Sequence, residues 1–314
     1  MAPGRAGAVA GVSVLMLLAG CGGGDGSSAA SPQGADTGPL AVAASFYPLQ
    51  WLSTQVGGDA VTVSSLTRPG VEPHDLELTP QDVAAVGAAD LVVYLSGFQP
   101  AVDEAVAQQA AESAFDAAEA ARLTLTYTPI EQGAEETSEA GTVDPHFWLD
   151  PMRLADVGAA LAERLGEDDP ARAATFTANA EAVRAELVAL DGEFIGGLAS
   201  CVNRDLVTSH NAFGYLAEAY DLTQVGITGL TPEAEPSAAD LSAVTDFVRA
   251  NKVAVIYYET LISPDIAQTV ATETGATTEV LDPLEGLNDE SQGEDYLAVM
   301  RANLASLRTG QPCP

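Results

Sequence analysis

Lysine is nearly missing from this sequence. Lys252 is its one lysine, and with the arginines it makes 12 bases against 45 acids, a formal net charge of −33. So large an acidic excess argues against nucleic acid or an anionic membrane surface as a direct ligand. It favours solubility and a field that attracts cations, and the plain reading of its bulk is a solvated acidic surface. Aromatic residues are also scarce, at 6%, yet 47% of the chain is hydrophobic, much of it alanine and valine. In 314 residues that is enough to bury a sizeable core, in two modest domains or one large one. There is no HExxH or comparable hydrolase motif. Histidine occurs only three times, at His74, His146 and His210.

The apolar run AGAVAGVSVLMLLA, residues 6–19, is too short for a comfortable bilayer span. It follows Arg5 and ends in Leu18-Ala19-Gly20-Cys21. Small residues before a cysteine at this distance look like a lipoprotein processing site. Residues 1–20 then read as a lipoprotein signal peptide, with Cys21 as the acylated N-terminus. The alternatives are an ordinary secretory signal with an incidental cysteine, or an uncleaved anchor. The stretch 22–38, GGGDGSSAASPQGADTG, has no apolar face to offset the entropy of ordering, so 21–38 reads as a lipidated flexible tether. Two further cysteines remain, Cys201 and Cys313. In an exported protein an even pair suggests one disulfide, and their spacing matches no zinc-thiolate motif.

From residue 40 onward, apolar strand-like runs alternate with helical patterns. Strands are expected at 40–46, 60–66, 90–95, 123–128, 205–210, 222–227, 253–259 and 277–282. Thr79-Pro80-Gln81-Asp82 is a helix start, with Thr as N-cap and Pro at the first helical position. Asp150-Pro151 and Asp169-Pro170 have the same form, and 100–119 is Ala-rich and helical. The second of these starts opens a long helix over 169–198, with Phe176, Ala180, Val183, Leu187 and Leu190 three and four apart. The segment 129–143 is acidic and without periodicity, and reads as a mobile surface loop. Strands alternating with helices mean parallel sheets with helical faces. The expected fold is α/β: two parallel-sheet lobes, 39–168 and 199–314, joined by a long rigid helix.

On this map His74 lies in the loop after the 60–66 strand, His146 beyond the 123–128 strand, and His210 ends the 205–210 strand. Asp282 ends the last strand. Ligands bind at the carboxyl ends of strands in open α/β sheets. Three imidazoles and a carboxylate meeting between lobes would make a tetrahedral site for a divalent transition metal. Each histidine taken alone is more often an ordinary hydrogen-bonded residue. Glu72 is a ligand, an outer acceptor or simply solvated. Asp144 either orients an imidazole or belongs to a turn. Glu259 ends a strand and can face the cleft, while Phe147 and Trp148 read as packing around His146.

Four stretches occur in order: GVEPHDLELTPQD (70–82), DPHFWLDP (144–151), VTSHNAFGYLAEAY (207–220) and LDPLEG (281–286). Together they resemble the zinc- and manganese-binding lipoproteins of ABC importers, the ZnuA-like or cluster A-I solute-binding proteins. The resemblance runs from about residue 40 to the C-terminus. It implies two α/β lobes on a rigid helix, metal positions at His74, His146, His210 and Asp282, and no catalysis. It also implies a monomer, anchored to the membrane by lipid, that delivers its ion to an ABC permease subunit. As the family is understood, zinc members carry His at the third metal position, where manganese members tend to carry Glu. His210 therefore points to Zn²⁺, with Mn²⁺ as the alternative, since imidazole suits zinc better than the harder ion. One departure is that the 129–143 loop is acidic and lacks the histidines that zinc members often carry there. Rivals from other classes are a secreted metallohydrolase using the same histidines and a surface adhesin.

Overall fold

The structure, a computed structural model, describes residues 38–130 and 139–313. The expected signal peptide, most of the tether with Cys21, and the centre of the acidic 129–143 loop lie outside the described residues. No described helix is long and apolar enough to cross a membrane.

The chain begins β1 (Leu40–Ala44), α1 (Tyr47–Gly57), β2 (Val61–Ser65), α2 (Pro80–Ala88), β3 (Leu91–Tyr94), α3 (Pro100–Gln109), β4 (Ala114–Asp116) and α4 (Ala117–Ala121). Two longer helices follow, α5 (Pro151–Asp168) and α6 (Ala173–Leu198). A second series then repeats the plan: β5 (Asp205–Thr208), α7 (Gly214–Ala219), β6 (Thr223–Gly226), α8 (Ala238–Asn251), β7 (Val255–Tyr258), α9 (Asp265–Thr274), β8 (Thr277–Val280) and α10 (Tyr296–Gly310). Each series forms a four-stranded parallel sheet, in the order β2-β1-β3-β4 and β6-β5-β7-β8. The direction of winding reverses beside β1 and beside β5. Such switch points open crevices at the carboxyl ends of strands, where ligands bind.

Local chemistry sets the helix starts. Thr79 and Ser237 each form a full capping box, with Asp82 and Asp240 returning the hydrogen bond. Asp150 caps α5 by accepting from the Met152 and Arg153 amides, with Pro151 at the first position. Asp169 does not open α6 as expected. Its carboxylate accepts from Ala171 and Arg172 to make a turn, and the helix starts at Ala173.

Two expectations need correction. The predicted helix over 100–119 stops at Gln109, and a short strand, β4, completes the sheet. The predicted strand over 123–128 joins no sheet. β4 already occupies that edge, and the segment forms one arm of a hairpin, with a single antiparallel bridge between Thr126 and Val143. The alternation of LTLTYT was real, but it described a hairpin arm.

Helix α6 has 26 residues and is about 39 Å long at 1.5 Å per residue. Phe176, Ala180, Val183, Leu187, Leu190, Phe194 and Leu198 form its buried stripe. It packs on α1 and α5 of the first series and on α10 of the second. The main core runs without a break from Val42, Phe46 and Trp148 through this stripe to Tyr215, Leu281 and Tyr296. Smaller clusters lie on the other face of each sheet, around Val244 and Ile256 and around Val86 and Val92.

Cys201, just beyond α6, is disulfide-bonded to Cys313 at the chain's end, closing a loop of 112 residues. The bond ties the last segment to the start of the second series. Constraint of the unfolded chain by so long a loop contributes about 3–5 kcal/mol. Replacing both cysteines by serine is expected to lower unfolding free energy by that amount in denaturant titration. An unchanged midpoint would show that the bond adds nothing.

Candidate metal centre

Each histidine is delivered by a loop with its own fastening. His74 sits in the loop after β2. Glu72 accepts from the His74 amide at 2.9 Å and from the Asp75 amide at 3.3 Å, which folds the loop back on itself. Buried Gln99 fixes the same loop by donating to the Pro73 carbonyl. His146 stands at the head of a short 3₁₀ turn, Phe147–Leu149. Asp144 accepts from its backbone amide at 2.9 Å and from its Nδ1 at 2.7 Å. His210 follows β5, and Thr208 and Gln224 donate to its carbonyl. Glu259, at the end of β7, accepts from its Nδ1 at 2.5 Å.

These contacts fix the tautomers. A carboxylate only accepts, so Nδ1 of His146 and of His210 carries the proton and Nε2 offers its lone pair. The Nε2 atoms converge. His146 Nε2 lies 3.3 Å from His74 Nε2 and 3.4 Å from His210 Nε2. The fourth corner is Glu285, whose Oε1 lies 3.3, 3.2 and 3.3 Å from the Nε2 atoms of His74, His146 and His210. A tetrahedron with metal–ligand bonds of about 2.0–2.1 Å has edges of roughly 3.3–3.4 Å. Among the described residues, His74, His146, His210 and Glu285 form the one group placed to share an ion.

Asp282 was the expected fourth corner; the structure groups Glu285, and not Asp282, with the three histidines. Asp282 is buried, but its Oδ1 accepts from the Leu284 amide at 2.8 Å and its Oδ2 from the Thr260 hydroxyl. Asn303 brackets its backbone on both sides. Asp282 builds a tight turn, with Leu284 in the left-handed region at φ 59°. That turn swings Glu285 into the cluster. The signal was in the motif: Asp before Pro is turn chemistry, and the other acid in LDPLEG is the free one. Glu72 accepts from backbone amides of its own loop, Asp144 both orients His146 and closes its turn, and Glu259 accepts from His210 Nδ1.

Trp148 is more than packing. Its ring lies 5.2 Å from that of His146, and its Nε1 donates to the Pro283 carbonyl at 2.7 Å, inside the Glu285 turn. Tyr296 in turn donates to the Trp148 carbonyl at 2.6 Å. The DPHFW run therefore supplies a ligand, its orienting acid and the pin that holds the opposite ligand.

The electrostatics point to a cation. His146 and His210 are fully buried, and Glu285 is 1% exposed. Burial pulls both imidazoles toward the neutral form, but Asp144 and Glu285 outweigh it at His146, and Glu259 and Glu285 push His210 well above its ordinary pKa. At His74 burial wins and the pKa falls. Burial alone would raise Glu285, yet His74 and the other imidazoles hold it well below the usual carboxylate range. Glu285 Oε2 is buried without a hydrogen-bond partner. A divalent ion supplies the positive charge that protons otherwise must. Asp282 is pushed up to about 6, chiefly by burial, and Glu72 to about 8 by burial and then the Glu285 charge.

Comparison with known proteins shows the family. Residues 42–310 match ZnuA, the periplasmic component A of a zinc-uptake complex. The chain belongs to the ZnuA family. It is 33% identical over 309 residues to the high-affinity zinc uptake system protein ZnuA of Bacillus subtilis, covering 94% of this chain and 93% of that one. It is 37% identical over 289 residues to the zinc-binding lipoprotein AdcA of Streptococcus pneumoniae, covering 89% of this chain but only 57% of AdcA. Among solved structures, the Zn(II)-bound ZnuA-like domain of AdcA superposes with a TM-score of 0.72 at 35% identity, over 87% of this chain and 99% of that domain. The laminin-binding adhesin Lmb of Streptococcus agalactiae, described as having adhesin and metal-transporting activity, gives 0.75 at 32% identity, over 87% and 99%.

The geometry separates the two acids of the last motif. Glu285→Gln is expected to weaken zinc binding at least about 100-fold, because it removes a charged donor from the tetrahedron. Asp282→Asn is expected to weaken it about 10–100-fold, as for a group that only orients a ligand. Competition titration against a zinc chelator measures both. A larger loss from Asp282→Asn would put the ligand back at Asp282.

Proposed function

We propose that this chain is an extracytoplasmic solute-binding lipoprotein that captures Zn²⁺ between its lobes and delivers it to an ABC-type metal import permease. The observation that carries this reading is the buried set of three Nε2 atoms and one carboxylate oxygen, spaced as a zinc tetrahedron requires. Zinc accepts four ligands of this kind, whereas manganese prefers more oxygen and higher coordination. The family membership and the zinc-binding relatives support the same ion.

The arrangement suits capture and release of an ion, with no reaction done on it. A hydrolytic zinc site keeps one position open for water. Here Glu285 takes that position and the aromatic wall of Phe98 and Trp148 closes in behind His74 and His146. His74 is the ligand nearest solvent, with its side chain 8% exposed, so ions arrive and leave on its side. The net charge of −33 gives the chain a field that attracts cations. Cys21 as a lipidated terminus and 21–38 as tether would hold the body near the permease. The lobes, 39–168 and 199–314 with the 169–198 helix between them, would dock as a monomer.

Calorimetric titration of metal-stripped protein, residues 22–314, tests the assignment. Tight one-to-one binding of Zn²⁺, weak binding of Mn²⁺, and loss of zinc binding in His210→Ala are the expected results. Preference for Mn²⁺ would keep the fold and overturn the ion. Failure to bind either would overturn the receptor reading.

A further inference from the structure

The hairpin that replaces the expected 123–128 strand crosses from the first series of elements to the second. Its first arm is held by Tyr215, whose hydroxyl accepts from the Thr124 and Leu125 amides at 3.0 and 3.2 Å. Its return arm runs from Glu139 to Asp144 and then directly into His146. The arms are joined by the bonds Tyr127 N to Thr142 O, Gly141 N to Tyr127 O and Asp144 N to Leu125 O.

Glu139 makes the more telling contact. Its Oε2 accepts from the Leu230 amide at 2.9 Å, and its Oε1 from the Thr231 amide at 3.1 Å and the Thr231 hydroxyl at 2.5 Å. Both carboxylate oxygens are thus filled by one loop of the other lobe. Gly229 lies directly under the carboxylate, where a Cβ would collide with it. That loop braces the third histidine. Gly229 accepts from the Asn211 amide at 2.8 Å, and the Ile227 and Thr228 amides donate to Thr208 and Ser209 on either side of the β5 end. His210 follows at once in the chain. Glu139 therefore joins the segment carrying His146 to the loop supporting His210, and it touches neither imidazole.

Building on the zinc-capture reading, we propose that Glu139 is a positioning residue that latches the two lobes around the ion and sets how fast it leaves. Charge-assisted bonds to two amides and a hydroxyl are strong and directional. They form only when the hairpin lies against the 226–231 loop, which is also when His146 and His210 face each other. Opening the site must break them, so they slow release more than capture. Coupling between sites typically changes an equilibrium affinity 5–150-fold, and with association unchanged the same factor appears in the release rate.

The test measures zinc release from full-length mature protein by stopped-flow with excess chelator. The variants are Glu139→Gln, Glu139→Ala, Thr231→Val and the double variant Glu139→Ala/Thr231→Val. Glu139→Gln keeps the shape and can still accept from Thr231, but it loses the charge and turns an NH2 donor toward the Leu230 amide, so its effect should lie between wild type and the alanine variant. Release from Glu139→Ala is expected to quicken about tenfold, with association unchanged. The double variant should release no faster than Glu139→Ala. The Co²⁺-substituted variants should keep the wild-type absorption bands, because the four ligands are untouched. Unchanged release in both Glu139 variants would overturn the latch, even if the metal-free melting temperature falls. Shifted Co²⁺ bands would also overturn it, by showing a change in the ligand shell itself. If the wild-type protein binds no zinc, the receptor reading fails first and the latch with it. Normal wild-type binding with unaltered release in the variants sinks the latch alone.

Discussion

The structure depends on the placement of one buried carboxylate, Glu285, against three imidazole nitrogens, of which only His74 keeps slight exposure. Burying an acid is costly unless positive charge or donors meet it. Here the donors come from loops far apart in the chain, and each must arrive within a few tenths of an ångström. The turn built by Asp282, the acceptors Asp144 and Glu259 behind two imidazoles, and the Trp148 pin all serve that convergence. They also make the centre anionic, so that protons or a divalent cation must balance it.

The two-lobed plan explains how the loops meet. Each parallel sheet reverses its winding beside its first strand, and the crevices at the strand ends face the same place. The continuous core along α6 holds the two sheets in register. Across the seam, hydrogen bonds run on both sides of the centre: Gly70 to Leu287 on one flank, and the hairpin to Tyr215 and Thr231 on the other.

Much of this could be read from the residues. The alternation of apolar runs with amphipathic stretches is a local signal, and so are the caps at Thr79, Asp150 and Ser237. His74, His146 and His210 stood out because histidine is so rare here; the strand-end argument holds for His210 after β5 and for the loop after β2 that carries His74, but not for His146, which follows the hairpin. What the local pattern left undecided lies in one short turn and in contacts far apart in the chain. Asp282 and Glu285 are both acids in one short motif, and only the turn that Asp282 makes with Leu284 decides which reaches the metal position. The 123–128 segment has strand periodicity, but the sheet edge it would have joined is taken by β4, whose three residues carry too little pattern to announce themselves. Glu139 lies in an acidic run, and nothing in its neighbours marks it as the one that reaches Thr231.

The most direct test of the central claim is the zinc shell itself, read by zinc-edge X-ray absorption and anomalous diffraction on crystals of the loaded protein. The account predicts one ion with four ligands at about 2.0–2.1 Å, namely Nε2 of His74, His146 and His210 and one oxygen of Glu285, with Asp282 still bonded to the Leu284 amide. An ion bound by Asp282, or one that keeps a water in place of Glu285, would contradict it.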